Sequence, residues 1–134
     1  GIMSVRNTFL FDRDSERSFV LAMILCNNSS IEGIETGDPT EVALLRYAFD
    51  KSYSVKDIRK EAQKLHEWSF DSDRKRMSVL VKHNGDEILY VKGAPETILE
   101  RCLLSEDSKR IVKGHVEEWS SKGERLLAVA MREG

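Results

Sequence analysis

Two lysines, Lys75 and Lys92, are the side chains in this sequence whose surroundings could support ligand chemistry. Between them lie two runs rich in Val, Ile, Leu and Tyr, joined by Asn84-Gly85. Asn-Gly is the strongest short-range signal for a two-residue hairpin turn, because both residues adopt positive φ at low cost. We therefore expect an antiparallel hairpin with one lysine at the open end of each strand.

The turn also sets the register of this hairpin. If His83 pairs with Asp86, alternate residues of the two strands face the same side of the sheet. The residues expected to share one face are Lys75, Met77, Val79, Val81, Ile88, Tyr90 and Lys92. Two cations therefore lie at one end of an apolar face that carries an aromatic ring. No acidic residue shares that face beyond the turn.

Lys92 has two interpretations on this evidence. A cation on an apolar surface is costly unless it has an anionic partner. In the first interpretation, Lys92 lies at the strand end and extends its ammonium group to water. In the second, the face is a pocket for an aromatic ring that carries a phosphate.

Length and composition limit the classes of protein. A chain of 134 residues favours one domain with a substantial core, and 40% hydrophobic with 33% charged residues is typical of a soluble globular protein. The net charge of -2 argues against a general binder of nucleic acid or membrane surfaces. The longest apolar run, 19–26, is too short to span a bilayer. Cys26 and Cys102 are expected to be buried, reduced thiols.

Apolar spacing predicts an α+β fold with an antiparallel sheet of about six strands flanked by paired helices. Helices are predicted at 18–27, from 38 onward, and at 54–63, 95–104 and 111–121. Residues 105–110 are predicted as a loop. Outside the hairpin, strands are predicted at 4–11, 65–70 and 125–131. The last of these is largely apolar, so a central position in the sheet is expected.

The segment Asp38-Pro39-Thr40-Glu41 is typical of a helix start. Asp38 suits the N-cap, and Pro39 suits the first helical position, where its missing N–H has no intrahelical partner to lose. Glu41, three residues after the cap, fits the acidic position of a capping box. A capping role explains Glu41 without any ligand, and a ligand contact remains the alternative.

Several catalytic signatures are absent from the sequence. It has no Gly-x-x-x-x-Gly-Lys-Ser/Thr loop and no Gly-x-Gly-x-x-Gly segment for holding phosphates. No His, Cys and Asp cluster has the spacing of metal ligands, and the three histidines have no evident nucleophile partner.

Four strings, taken in order, resemble the nucleotide-binding (N) domain of P-type cation-transporting ATPases. They are 37–41 (GDPTE), 70–78 (FDSDRKRMS), 92–96 (KGAPE) and 123–130 (GERLLAVA). The resemblance covers most of the chain and leans toward the calcium-pump branch. It implies an N-domain-like fold in which residues 1–134 form a single domain, cut out of a larger pump and lying on the cytoplasmic side of an integral membrane protein.

The resemblance also implies how an adenine base is bound. Phe70 stacks on the ring, Glu41 approaches its exocyclic amine, and Lys92 lines the deep end of the pocket. The alternative for Phe70 is a core aromatic residue at a strand end. Five polar or charged residues, 71–75, follow it directly, which is unusual beside a core position.

At the other end of the implied site, Lys75 and Arg125 meet the phosphate or ribose. Gly93 lets the backbone approach the ring closely, since it has no Cβ. Ser72 departs from the pattern, because calcium-pump relatives often have Arg two positions after the Phe. One phosphate contact is therefore in question.

The implied ligands are ATP and ADP, with Mg-ATP in the full-length pump. The implied partners are the phosphorylation and actuator domains of the same pump, with no nucleic acid, and the isolated domain is expected to be a monomer. Because the phosphorylated Asp-Lys-Thr-Gly-Thr segment is absent, the isolated domain is expected to bind ATP without hydrolysing it. The alternative is a regulatory or protein-interaction module that uses the basic run 74–76. Nucleotide binding requires Phe70 and Lys92 to face one cavity, whereas a surface contact needs only the basic run.

Overall fold

The computed structural model describes residue 5 and residues 8–10, 15–33 and 37–133. Helices in this part of the chain are α1 (Glu16–Leu25), α2 (Pro39–Asp50), α3 (Val55–Glu61), α4 (Pro95–Glu100) and α5 (Glu106–Ser120). Strands are β1 (Gln63–Asp71), β2 (Arg76–His83), β3 (Asp86–Gly93) and β4 (Ala128–Glu133). None of the described helices is both long and apolar enough to cross a bilayer.

The four strands form one antiparallel sheet in the order β1-β2-β3-β4. The predicted hairpin register is confirmed from the pair His83 and Asp86 through to the pair Met77 and Lys92. Asn84 has φ 53° and Gly85 has φ 86°, the two positive angles that a type I′ turn requires. The α+β class is confirmed, and the turn residues account for the register.

The expected count of about six strands is wrong for the described residues, where the sheet has four. Val5 and residues 8–10 are not in a strand, and the rest of the predicted 4–11 strand lies outside the described residues. The final strand starts at Ala128 rather than at 125, and it is an edge strand rather than a central one. Helices α1 and α4 both pack against β4, but its residues are at most partly buried, as suits an edge position.

The main core lies between one face of the sheet and helices α1, α2 and α3. Met77, Val79 and Val81 of β2 meet Ile88 and Tyr90 of β3 in this core, as the alternation predicts. Helix α1 is buried along most of its length, which fits its nearly continuous apolar sequence. The buried residues of the cluster are Val20, Leu21, Ala22, Ile24, Leu25, Cys26, Leu45, Ala48, Val55, Ile58, Met77, Val79, Val81, Ile88 and Tyr90.

The last two helices differ most from prediction. Helix α4 ends at Glu100 instead of 104, and Leu103, which lies beyond it, is fully exposed. Helix α5 begins at Glu106, within the segment predicted as a loop. The Ser105 hydroxyl caps it by accepting from the Ser108 N–H at 3.1 Å. Its first turn is acidic, which suits a helix N-terminus but gives no apolar periodicity to detect.

Candidate functional site

Lys92 lies near the end of β3 with its side chain only 8% exposed. Its ammonium Nζ donates to Oε2 of Glu41 at 2.8 Å. Glu41 comes from the first turn of α2 rather than from the sheet, so the alternation along the strands could not reveal it. The ion pair is the anionic partner that a buried cation needs. The interpretation of Lys92 as a lysine that reaches water is therefore wrong.

Glu41 is held in place by the start of α2 and by the segment after α1. Asp38 is the N-cap as predicted, and its carboxylate accepts from the N–H groups of Thr40 at 2.8 Å and of Glu41 at 3.3 Å. The Glu41 side chain contacts residues outside this helix start. Its Oε1 accepts from Oγ of Ser29 at 2.9 Å, and its Oε2 accepts from the Asn28 N–H at 3.4 Å. These donors and Lys92 replace the capping-box role.

The segment that supplies those donors, here called the 27–29 loop, is itself fixed by Arg59 of α3. The guanidinium donates to the carbonyl oxygens of Ser29 at 2.8 Å, Asn27 at 3.1 Å and Ile24 at 3.3 Å. Burial lowers the pKa of Arg59, and the charge of Glu41 opposes that shift. The Asn27 amide also donates to the Glu41 carbonyl at 2.9 Å. Helices α1, α2 and α3 are thus joined beside the ion pair.

Phe70 reaches the same end of the sheet through a bulge in β1. The pairing places two residues of β1, Ser69 and Phe70, opposite Met77 of β2. Met77 pairs on its other side with Lys92, so the three strands form one row at this end. Neighbouring strands are about 4.8 Å apart, which puts the backbones of Phe70 and Lys92 about 10 Å apart. We call Glu41, Phe70, Met77 and Lys92 the Lys92 corner.

The two hydrophobic members of the Lys92 corner differ sharply in exposure. Met77, on the middle strand of the row, is 4% exposed, whereas Phe70, on the edge strand, is 62% exposed. The alternative of a core aromatic for Phe70 is therefore wrong. Cys26 lies in the core beneath Met77, and its thiol donates to the Met77 carbonyl at 3.4 Å. Burial raises the pKa of Cys26 to about 11, so it is a neutral thiol, and both cysteines are free.

Gly93 meets the backbone of the turn that precedes β2. A Cβ added there would lie 2.4 Å from the Lys75 carbonyl oxygen and 2.8 Å from Cβ of Arg76. Only glycine fits this approach without a backbone shift. The contact explains Gly93 through protein packing, and its approach to a ring stays a prediction.

Lys75 does not share the buried face of β2, so that prediction is wrong. It is exposed and lies in the turn between β1 and β2 with φ 56°, because the strand begins only at Arg76. Arg125 is also exposed and donates to Oγ1 of Thr40 at 2.9 Å. Thr40 directly precedes Glu41, so Arg125 lies beside the Lys92 corner. The backbone of Lys75 also lies near the Lys92 corner, because its carbonyl closely approaches Gly93, the residue after Lys92.

The basic run 74–76 is less available than its charge indicates. Arg74 donates from Nη2 to Oγ of Ser78 at 3.0 Å and from Nη1 to the Ser69 carbonyl at 3.3 Å. Arg76 donates to the Arg74 carbonyl at 3.1 Å. Both arginines are partly buried and stabilise the turn between β1 and β2. Lys75 is the one exposed residue of this run.

Glu67 is a member of the network that sequence reasoning missed. Its carboxylate accepts from Nδ2 of Asn28 at 2.9 Å and from Nζ of Lys64 at 2.7 Å. The hydrogen bond from Lys64, followed by that from Asn28, lowers the pKa of Glu67. Glu67 pairs with Val79, whose side chain faces the core. Extending the hairpin register to β1 is the signal that could have identified it.

The structure has two surface clefts, and no residue of the Lys92 corner lines either of them. A cleft of about 800 Å³ lies beside the end of α2 and contains Phe49, which is 65% exposed. A smaller one of about 180 Å³ includes Arg59 and Lys64. Across the described ranges, no group of three or more His, Cys, Asp or Glu residues is placed to hold a metal.

Comparison with known proteins gives a consistent result. Residues 16–134 match the family described as "P-type ATPase, cytoplasmic domain N". The chain is 37% identical over 123 residues to Calcium-transporting ATPase 1 of Lactococcus lactis, covering 83% of this chain and 14% of the relative. It is 36% identical over 132 residues to a probable cation-transporting P-type ATPase of Mycoplasma genitalium, covering 97% of this chain and 15% of the relative.

A third relative carries a different ion in its name. The chain is 35% identical over 121 residues to Sodium/potassium exporting P-type ATPase cta3 of Schizosaccharomyces pombe, covering 81% of this chain and 12% of the relative. The chain thus spans only between 12% and 15% of the length of these relatives.

Proposed function

Because the chain belongs to the family of cytoplasmic N domains of P-type ATPases, we propose that residues 1–134 form one domain that binds ATP through its adenine base. In the full-length pump, a separate phosphorylation domain receives the γ-phosphate of Mg-ATP from this domain. That transfer drives cation transport across a membrane. The isolated domain binds nucleotide and hydrolyses nothing.

The observation that carries this proposal is an exposed aromatic ring in the same row as a buried, paired lysine. Phe70 is 62% exposed at the edge of the sheet, and Lys92 is 7% exposed two strands away. An adenine ring can stack on Phe70 and extend over Met77 toward Lys92. A base in this position lies beside Glu41.

The chemistry of Glu41 suits the exocyclic amine of adenine. An ionised carboxylate has about four acceptor sites and no donor. Oε1 of Glu41 accepts from Ser29, which leaves acceptor capacity toward a further N–H group. Lys92 holds Oε2, so the carboxylate is oriented before the base arrives. Little ordering of this side chain is then required on binding.

Lys75 and Arg125 supply positive charge on the exposed side of the same site. Charge-assisted hydrogen bonds to phosphate are strong in direct contacts but weaker where water screens them. We therefore propose that both residues contact the ribose or phosphates and that the base provides most of the affinity. AMP, ADP and ATP should then bind with similar strength.

Titration of the domain with ATP, followed by NMR, tests the proposal. One stacked ring and a few polar contacts predict a dissociation constant of about 0.1 to a few mM. Phe70→Ala should weaken binding by about 1 to 3 kcal/mol, the range for loss of a base–aromatic stack.

Phe49→Ala is the matched control for this experiment, because Phe49 is as exposed as Phe70 but lines a cleft that contains no residue of the Lys92 corner. It should leave the affinity unchanged. Absence of any chemical-shift change at several millimolar nucleotide would refute ATP binding. Equal losses in the two variants would refute the position of the site.

The transported cation belongs to the same proposal. Relatives are named for calcium and for sodium and potassium export. We favour calcium, since the strings GDPTE, DRKRMS and KGAPE resemble the calcium-type branch. Ion-stimulated ATP hydrolysis by the full-length protein, compared among these cations, is the measurement that decides it.

A further inference from the structure

Glu67, which has no role in the proposed contacts, is linked to Glu41 through a single residue. Asn28 donates from its side-chain Nδ2 to Oε2 of Glu67 at 2.9 Å. The backbone N–H of the same Asn28 donates to Oε2 of Glu41 at 3.4 Å. One asparagine thus joins a carboxylate on β1 to a carboxylate on α2.

Asn28 can link the position of Glu67 to that of Glu41 because the residues on each side of it are fixed. Arg59 donates to the carbonyl oxygens of both Asn27 and Ser29. The Ser29 N–H also donates to Oδ1 of Asn27 at 2.9 Å. The Asn28 side chain is exposed, and its hydrogen bond to Glu67 holds the amide in one direction.

We propose that Glu67 is a positioning residue for base selection, acting through Asn28 on the Glu41 carboxylate. This inference rests on the proposed function. An oriented acceptor favours a base with an amino group at the ring position that Glu41 faces. A base with a carbonyl oxygen there places two acceptors against each other, with no hydrogen between them.

A simpler explanation has to be separated from this one. Lys64 and Glu67 form an ion pair at 2.7 Å on the same strand, and Lys64 is 45% exposed. Such a pair could stabilise β1 without influencing Glu41, although exposed pairs contribute little. Removing Lys64 alone breaks the ion pair and leaves the Asn28 bond in place.

The experiment compares the affinities of the domain for ATP and for inosine triphosphate, which has a carbonyl in place of the adenine amine. Glu67→Leu should reduce the ratio of the two affinities by about threefold to tenfold, the scale of one hydrogen bond. Glu67→Gln should keep the ratio, because its amide oxygen still accepts from Asn28. Lys64→Met should keep it as well.

Asn28→Ala provides a second route if Glu67→Leu does not fold. It removes the side-chain bond, retains the backbone N–H, and should lower the ratio to the same extent. A purely structural role would change the melting temperature without changing base selection. Both quantities are therefore measured on each variant.

The outcomes distinguish this inference from the proposed function. If the unmodified domain binds neither nucleotide, the proposed function itself is wrong. If it binds ATP but does not discriminate, or if Glu67→Leu and Asn28→Ala leave the ratio unchanged, the inference is overturned while ATP binding stands. A loss in Lys64→Met or Glu67→Gln as large as in Glu67→Leu would also overturn it.

Discussion

The Lys92 corner and helix α5 reverse the ordinary relation between polarity and burial. At the corner, a charged lysine is 7% exposed. Along α5, none of the described residues is buried, and the apolar side chain of Ile111 is 53% exposed. What decides burial in both regions is whether another element supplies a partner.

The partners available to each region explain this difference. The corner receives a carboxylate from α2 and hydrogen-bond donors from the 27–29 loop. Helix α5 has partial cover, in which the His115 ring lies 4.4 Å from the Phe9 ring and 5.2 Å from the Trp119 ring, centre to centre. The corner should therefore be rigid and sensitive to substitution, whereas α5 should tolerate change.

The largest expected effect is loss of one half of the buried ion pair. Glu41→Ala leaves the Lys92 ammonium buried without its counter-charge and should lower the free energy of unfolding by about 3 kcal/mol. Urea denaturation measures this. The double variant Glu41→Leu with Lys92→Met should recover much of the loss, since neither charge is then buried.

Glu117→Ala on α5 is the control for that measurement. Glu117 is exposed, so its loss should change the free energy of unfolding by less than about 0.5 kcal/mol. A similar loss from Glu41→Ala and Glu117→Ala would remove the distinction between the two regions.

The second effect is an alkaline instability from the thiol beneath the corner. Burial raises the pKa of Cys26 from its ordinary 9.0 to about 11. Between these pH values the unfolded chain releases the thiol proton while the folded chain keeps it, so stability falls as the pH rises. The loss should total about 2 to 3 kcal/mol.

Urea denaturation between pH 8 and pH 11 checks this expectation. Cys26→Ala should flatten the dependence on pH relative to the unmodified domain. Cys102→Ala should keep most of it, because that thiol is only partly buried. Burial also raises the pKa of Tyr90, but that contribution is shared by all three proteins. An unchanged slope in Cys26→Ala would contradict the assignment.

Local signals in the sequence were sufficient for the hairpin and for the start of α2. Asn84-Gly85 determines the turn, and the turn determines the register of β2 and β3. Asp38 and Pro39 likewise identify the first turn of α2. In each case a few adjacent residues control the backbone, so no distant contact is needed.

The misses have a different physical origin. Glu41 and Lys92 are 51 residues apart, and their contact depends on how α2 packs over the sheet. Alternation placed Lys75 on the buried face because it assumes continuous strand geometry, whereas this residue has φ 56°. The acidic first turn of α5 has no apolar spacing to detect. These features depend on packing and on the local backbone, which the apolar spacing of the sequence does not reveal.

A third, smaller effect should follow from filling the space at Gly93. Gly93→Ala places a methyl group against the Lys75 carbonyl, and the nearest atoms are backbone or Cβ atoms that cannot rotate away. Forced shifts of this kind lower stability by about 1 to 3 kcal/mol. Urea denaturation measures the loss, and NMR chemical shifts of β2 should report the displacement. No change in either would mean that the turn before β2 moves freely.

The smallest effect should have the opposite sign and lie on α5. Gly114 is in the interior of this helix, and a Cβ added there has nothing within 4 Å. Gly114→Ala should therefore stabilise the domain by about 0.5 to 1 kcal/mol through lower entropy of the unfolded chain and better helix propensity. The urea midpoint should rise while the affinity for ATP stays constant. A loss of stability instead would show that this face of α5 is covered in solution. Helix α5 would then not differ from the Lys92 corner in being open to substitution, although Gly114 is the position where that difference should be clearest.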